Sequence, residues 1–136
     1  MKESMIQFLK FGIVGVSNTV INYLLNIGTL HLLRNFHWDW DYIVANIVSF
    51  ILSVLWSFFW NEKYVFVANR SYTCSKFVRL MKMYICYGVT GIFLNNMISF
   101  IWVSVLGYSK LIAPLVNMPI SVPMNYYLNK RWTFEE

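Results

Sequence analysis

Four long runs without a formal charge constrain this chain more than any other feature. Between Lys10 and Arg34 lie 23 such residues, between Asp41 and Glu62 20, between Lys82 and Lys110 27, and between Lys110 and Lys130 19. A helix of about 20 predominantly apolar residues crosses the ~30 Å hydrocarbon core of a bilayer. The spacing therefore predicts four transmembrane helices, over about 11–33, 42–61, 83–106 and 111–129, with mostly short connections. The first run is too long for the apolar region of a secretory signal, and no small-x-small cleavage site follows it. Charged residues make up 12% of the chain and the mean hydropathy is +0.52. Soluble domains carry about 25% charge. A soluble enzyme, a disordered tail and a disulfide scaffold are all excluded on that ground.

The basic residues set the expected orientation. Lys2 and Lys10 precede the first span, Lys63, Arg70, Lys76, Arg79 and Lys82 follow the second, and Lys130 and Arg131 follow the fourth. With four spans these share one side, and only Arg34 and Lys110 fall on the other. Excess Lys and Arg marks the cytoplasmic face, so both termini are expected in the cytoplasm. The net charge of +5 then reflects topology and anionic lipid head groups rather than nucleic acid. Cys74 and Cys86 give no disulfide in a reducing compartment, and His31 and His37 lack metal-ligand spacing. No metal and no cofactor are expected.

The chain also repeats itself. At an offset of 68, Asp41–Phe66 aligns with Ser109–Phe134, pairing Ala45 with Ala113, Val48 with Val116 and Ser53 with Ser121. The same offset pairs Val54 with Val122, Asn61 with Asn129 and Phe66 with Phe134. The first helix of each half aligns at an offset of 73, with Gly15 on Gly88 and Asn22 on Asn95. The fold expected is an all-α membrane protein of two helical hairpins, repeat one about 8–66 and repeat two about 77–134. Because a hairpin returns to its starting side, the two repeats share one orientation. Residues 1–136 are read as a single membrane domain.

Each predicted span carries one small or polar face, since residues at i, i+3, i+7 and i+11 share an arc of a helix. The faces are Gly15, Asn18, Asn22 and Asn26; Asn46, Ser49, Ser53 and Ser57; Gly88, Gly91, Asn95 and Ser99; and Pro114, Asn117, Ser121 and Asn125. Such faces pack helices closely and hydrogen-bond across the interface, or they line a polar path, and the two uses are compatible. Pro114, Pro119 and Pro123 predict a kinked or broken fourth helix, with Asn117, Ser121 and Asn125 placed to re-satisfy the backbone. The two halves differ at one polar position, where Gly91 stands for Asn18. No Asp, Glu, Lys or Arg lies inside a span. Proton-coupled drug export through a buried carboxylate is disfavoured, and nothing in the chain forms a nucleophile–base pair or a carboxylate pair. No catalysis is expected of this polypeptide. Lys10, Lys63, Arg79, Lys82, Lys130 and Arg131 gather among aromatic residues near the cytoplasmic ends of the spans, where such residues serve as anchors or bind a lipid phosphate. Lys63 and Arg131 are equivalent in the repeat.

The segment Gln7-Phe-Leu-Lys-Phe-Gly-Ile-Val-Gly15-Val-Ser-Asn18-Thr resembles the start of the GtrA-like proteins, a bacterial family of four-span membrane proteins. So do Trp60-Asn-Glu-Lys-Tyr-Val-Phe66 and its second copy, Tyr127-Leu-Asn-Lys-Arg-Trp-Thr-Phe134. The ending Asn-x-[Lys/Arg]-aromatic-x-Phe is the most specific part, and the likeness covers about residues 6–134. It implies a place in the bacterial cytoplasmic membrane and the flipping of a polyprenyl-phosphate-linked monosaccharide, commonly undecaprenyl phosphate carrying glucose or a similar sugar. A separate membrane glycosyltransferase would then decorate an O-antigen, a teichoic acid or another envelope polymer. On that reading Lys10, Lys63 and Arg131 receive the phosphate, while Asn18, Asn22, Asn95, Ser53, Ser121 and Asn125 line the sugar's path. A non-transporting scaffold for the transferase is the alternative, and a small-molecule exporter a third. Four short helices leave little room for a sealed path, so a homo-oligomer or a groove open to membrane lipid would complete it.

Overall fold

The computed structural model describes residues 1–37, 39–67, 71–109 and 113–135, and the side chains at 95 and 113–115 lie outside that description. The described residues are all-helical, in two compact units, Met1–Val67 and Ala68–Glu136. Three helical runs are long and apolar enough to cross a membrane: Lys2–Phe36, Asp41–Val65 and Lys76–Val105. The fourth expected span begins outside the described residues.

In the first unit, α1 (Lys2–Leu33) and α2 (Asp41–Trp60) form an antiparallel hairpin. Helix α1 starts nine residues before the expected span, so Lys10 lies inside a helix of 32 residues. Four side-chain bonds rung the hairpin. The Gln7 amide donates to the Val65 carbonyl at 3.1 Å, Trp56 Nε1 to Ser17 Oγ at 3.2 Å, Asn22 Nδ2 to Ser53 Oγ at 3.1 Å, and Asn26 Nδ2 to Asn46 Oδ1 at 2.7 Å. The face of α2 against α1 is a ridge of small residues at every fourth position, Ala45, Ser49, Ser53 and Ser57, ending on Asn61. Ile47, Ile51, Leu55 and Phe59 are exposed. A water-soluble helix has the reverse pattern. In lipid, tails are as apolar as leucine, so burying leucine gains nothing, while a buried serine finds a partner and lets backbones approach.

Helix α2 closes in a π-helical turn, Asn61–Val65, in which the Phe66 N–H reaches the Asn61 carbonyl at 2.9 Å. The second unit repeats this ending. Helix α5 (Ala113–Leu128) leads into the π turn Asn129–Thr133, where the Phe134 N–H bonds the Asn129 carbonyl at 2.9 Å. Before it, α3 (Lys76–Gly88) and α4 (Asn95–Phe100) are joined by the π segment Val89–Leu94 and continue into a further π turn, Ile101–Val105. Ser75 Oγ caps α3 by accepting the Val78 N–H. Asn117 Nδ2 donates to Ser99 Oγ at 2.9 Å and ties α5 to α4.

The prolines do not break α5. The helix runs unbroken through Pro119 and Pro123, which lie four residues apart on an exposed face. Ser121 Oγ bonds the Asn117 carbonyl at 2.8 Å, not the carbonyl of Pro119 that Pro123 leaves without a donor. Pro114 belongs to the residues whose side chains are outside the description.

The helical run to Val105 ends on a left-handed glycine cap. Gly107 adopts φ +73°, the Tyr108 N–H reaches back to the Trp102 carbonyl at 3.1 Å, and the Trp102 and Tyr108 rings stack with centroids 4.5 Å apart. The left-handed glycine just past the helix end is the usual C′ residue, and the bond from Tyr108 spans six residues, one more than in the Schellman motif, after the wider π turn. A side chain at Gly107 would be forced into left-handed backbone, which costs about 1–2 kcal/mol. Gly107→Ala should lower the unfolding midpoint in detergent micelles by a corresponding amount. An unchanged midpoint would remove the cap from the stability of this helix end.

Candidate functional site

The two π turns present the same arrangement of residues in each unit. Asn61 and Asn129 are completely buried. Asn61 Nδ2 donates to the Ser57 carbonyl at 2.8 Å and to Ser57 Oγ at 3.1 Å. Asn129 Nδ2 donates to the Asn125 carbonyl at 2.9 Å and to Asn125 Oδ1 at 3.0 Å. Both Oδ1 atoms are buried with no donor among the described residues. Five residues on, Phe66 and Phe134 are fully buried and each meets an aromatic ring edge-on, Phe11 at 6.2 Å and Tyr72 at 6.5 Å. The motif Asn-x-[Lys/Arg]-aromatic-x-Phe thus has a structural cause. The asparagine staples the helix end, the phenylalanine plugs it, and the cation between them is left outside.

The cation is Lys63 in the first turn and Arg131 in the second, and both are exposed. Lys63 Nζ sits 5.2 Å from the Tyr64 ring centroid and 5.6 Å from that of Phe59. Tyr64 stacks on Trp60 at 5.1 Å, and Trp60 meets Trp56 at 5.4 Å. This aromatic ladder on α2 suits the membrane–water boundary, where amphipathic rings settle. Lys10 is exposed on α1. None of Lys10, Lys63 and Arg131 has a carboxylate partner among the described residues.

The other basic residues of the group are already engaged within the second unit. The Arg79 side chain is buried with its guanidinium stacked 3.6 Å over the Tyr72 ring. Lys82 Nζ donates to the Trp132 carbonyl at 3.1 Å and to Cys74 Sγ at 3.3 Å, and pairs with Glu135 at 3.4 Å. Lys130 Nζ lies 3.5 Å from the Tyr126 hydroxyl. Glu135 also accepts from the Thr73 hydroxyl at 2.6 Å and the Thr73 N–H at 2.9 Å. Those two bonds first, with Cys74 and Lys82 assisting, hold its carboxyl down at about 2. None of this was legible beforehand, because the partners are separated by 53 and 62 residues and lie in segments without periodicity.

The residues expected to line a path divide by their partners. Asn22 and Ser53 bond each other. Ser121 bonds its own helix, and Asn125 accepts from Asn129. The Asn95 side chain lies outside the described residues. Asn18 differs, since its Oδ1 is buried with no donor among the described residues. The glycines of these faces are not points of tight packing. A Cβ added at Gly15, Gly88 or Gly91 meets nothing within 4 Å.

Comparison with known proteins adds the following. The family model for the GtrA/DPMS transmembrane domain matches residues 10–134. The cell wall teichoic acid glycosylation protein GtcA of Listeria innocua serovar 6a is 29% identical over 107 residues, which cover 79% of this chain and 72% of that protein. GtcA of Listeria monocytogenes serovar 1/2a is 29% identical over 109 residues, with the same two coverages. A dolichol-phosphate mannosyltransferase of Pyrococcus furiosus is 33% identical over 128 residues, 94% of this chain but 34% of that protein. The chain thus spans about a third of that relative's length. With the three apolar helical runs, these matches make the chain a multi-pass bacterial membrane protein.

Two outcomes test the geometry. A double-mutant cycle on Asn22→Ala and Ser53→Ala should give a coupling of about 0.6 kcal/mol, the average for such bonds between membrane helices. A coupling indistinguishable from zero would remove this rung. The Glu135 carboxyl ordinarily titrates at 4.5 and is held at about 2 in the folded chain, so its tie to Thr73 is fully present above the higher value and lost as pH falls through the lower. The Thr73 amide should keep its exchange protection at pH 5 and lose it near pH 2. Protection that ignores pH over this window would exclude Glu135 as its source.

Proposed function

The chain belongs to the GtrA/DPMS transmembrane domain family, and from that premise we propose that it moves a polyprenyl-phosphate-linked monosaccharide across the cytoplasmic membrane for glycosylation of a cell-wall polymer such as teichoic acid. The observation that carries this reading is the pairing of relatives. Two are named for teichoic acid glycosylation and one for a dolichol-phosphate mannosyl transfer. A module common to both fits the chemistry they share, a sugar on a polyprenyl phosphate.

The topology in this proposal is four spans, as two hairpins of the same orientation, with both termini in the cytoplasm. Repeat one runs over about 8–66 and repeat two over about 77–134. The exposed cations of the two π turns act as phosphate contacts, Lys63 with Lys10 in the first half and Arg131 in the second. Of the six basic residues grouped near those helix ends, they are the three that are exposed and without a hydrogen bond or ion pair among the described residues. The polar groups Asn18, Asn22, Asn95, Ser53, Ser121 and Asn125 take the place of water around the sugar hydroxyls. An uncharged path of donors and acceptors suits a neutral hexose, because an unsatisfied polar group in hydrocarbon is costly. The polyprenyl tail stays in the bilayer, and movement runs down the gradient set by synthesis on one side and consumption on the other.

A second reading has its own observation. In the Pyrococcus relative the matching region is part of a longer protein named as a transferase, which favours a scaffold that holds and orients a separate glycosyltransferase. Reconstitution separates the two. Proteoliposomes of the purified chain should speed transbilayer movement of a polyprenyl-phosphate hexose over empty vesicles, with no transferase present. Lys63→Ala and Arg131→Ala should each slow it about tenfold or more, the loss expected for one hydrogen bond to a charged group. Vesicles no faster than empty ones would leave the scaffold, and full speed in both variants would move the phosphate contact elsewhere.

A further inference from the structure

The charge-free run between Lys82 and Lys110 holds 27 residues, and Asn96 is the central one. The helical run that carries it, Lys76–Val105, is long and apolar enough to cross a membrane. Asn96 therefore lies near mid-depth, about 15 Å from either edge of the ~30 Å hydrocarbon core. Its side chain is exposed and makes no hydrogen bond among the described residues. The amides of Asn22 and Asn117, inside other charge-free runs, bond to Ser53 and Ser99. Lysine and arginine escape such a depth by stretching to the interface, but asparagine has a single methylene before its amide. An amide left unpaired in hydrocarbon is costly, so this position calls for a partner from outside the described residues.

The neighbouring side chains decide which partner fits. Ile92, Phe93, Met97 and Phe100 flank Asn96 along the helix and are exposed as well. A sugar ring needs several polar partners and would meet one amide in an apolar field. A second helix needs the opposite, broad apolar contact with a polar bond inside it. Identical copies insert in the same orientation, so a two-fold axis along the membrane normal sets a residue beside its own counterpart at its own depth. A carboxamide suits that place because it complements itself, each NH2 donating to the other's carbonyl oxygen. In soluble coiled coils one buried asparagine fixes register and oligomer state by the same device.

We propose that the chain forms a homodimer through the helical run Lys76–Val105, with Asn96 hydrogen-bonded to its own counterpart in a second copy at mid-membrane. The exposed Ile92, Phe93 and Phe100 supply the packing around that bond. The dimer rests on the depth, exposure and self-complementary chemistry of one amide, and it holds whether the protein transports or scaffolds.

Energy transfer between donor- and acceptor-labelled copies of the full chain in liposomes, followed as lipid dilutes the protein, reads the association. The unaltered chain should titrate as a dimer. Asn96→Leu, which lipid accepts, should weaken association roughly tenfold, the loss of two interhelical bonds of average strength. Cross-linking reads the placement separately. In a background of Cys74→Ser and Cys86→Ser, Asn96→Cys should give a disulfide-linked dimer under copper–phenanthroline, since bridging needs Cβ atoms within about 4.5 Å. Leu52→Cys, at an exposed position midway along α2, should stay monomeric under the same treatment. A monomeric unaltered chain would overturn the proposal, as would undiminished association of Asn96→Leu or equal cross-linking in both cysteine variants.

Discussion

In lipid a helix must satisfy its polar side chains from another helix, and no hydrophobic force pushes the two together. The hairpin of α1 and α2 is built on that constraint. Its rungs, Gln7 to Val65, Trp56 to Ser17, Asn22 to Ser53 and Asn26 to Asn46, run nearly its whole length and fix its register. The serine ridge of α2 follows from it, because only small side chains let the helices come close enough to bond. The exposed Ile, Leu and Phe follow as well, since lipid accepts them at no cost. Everything placed by the hairpin, including the π turn and its cation, inherits this register.

The two halves keep the same device with different residues. Each ends on a buried asparagine bonded to residue i−4, a π turn and a buried phenylalanine. Before that asparagine, the first half has Asn18 on one helix and Ser57 on the other. At the repeat-equivalent positions the second half has Gly91 and Asn125. The departure of Gly91 from Asn18 is therefore not a lost amide. It is an amide moved from one helix to its neighbour, where Asn125 now receives the Asn129 NH2 at 3.0 Å. Keeping one amide among these equivalent positions while changing which helix supplies it points to a constraint on the polar node itself.

Much of this was legible in the sequence for plain physical reasons. Charge-free runs marked the helices, because a charge inside hydrocarbon is too costly to scatter. The faces carrying Asn22, Ser53, Asn117 and Ser99 were readable from helical period, and these residues do pair across helices. The motif ending in Phe66 and Phe134 was visible as a repeat, but the π turn within it was not. A π turn inserts no distinctive residue; it is set by what packs on either side. The continuous course of α5 through Pro119 and Pro123 was also hidden, since whether a proline breaks a membrane helix depends on how the surroundings accommodate the backbone groups it frees. Long-range ties such as Glu135 to Thr73 have no periodic signature at all.

The pairing of Asn22 with Ser53 bears on whether such residues serve packing or passage. A bond of about 0.6 kcal/mol between membrane helices is comparable to thermal energy, so it does not lock either partner. A sugar hydroxyl that offers the same geometry exchanges with it at nearly no net cost, and the amide returns to its neighbour when the hydroxyl leaves. A polar ladder of weak rungs can therefore hold the hairpin at rest and still bind a neutral polyol in turn. Carboxylates could not act this way, because each would carry a charge into hydrocarbon with or without cargo. Under the proposed function, the amides and hydroxyls along the hairpins and the cations at their ends would divide the demands of such a head group, with neutral groups for the sugar and charge for the phosphate.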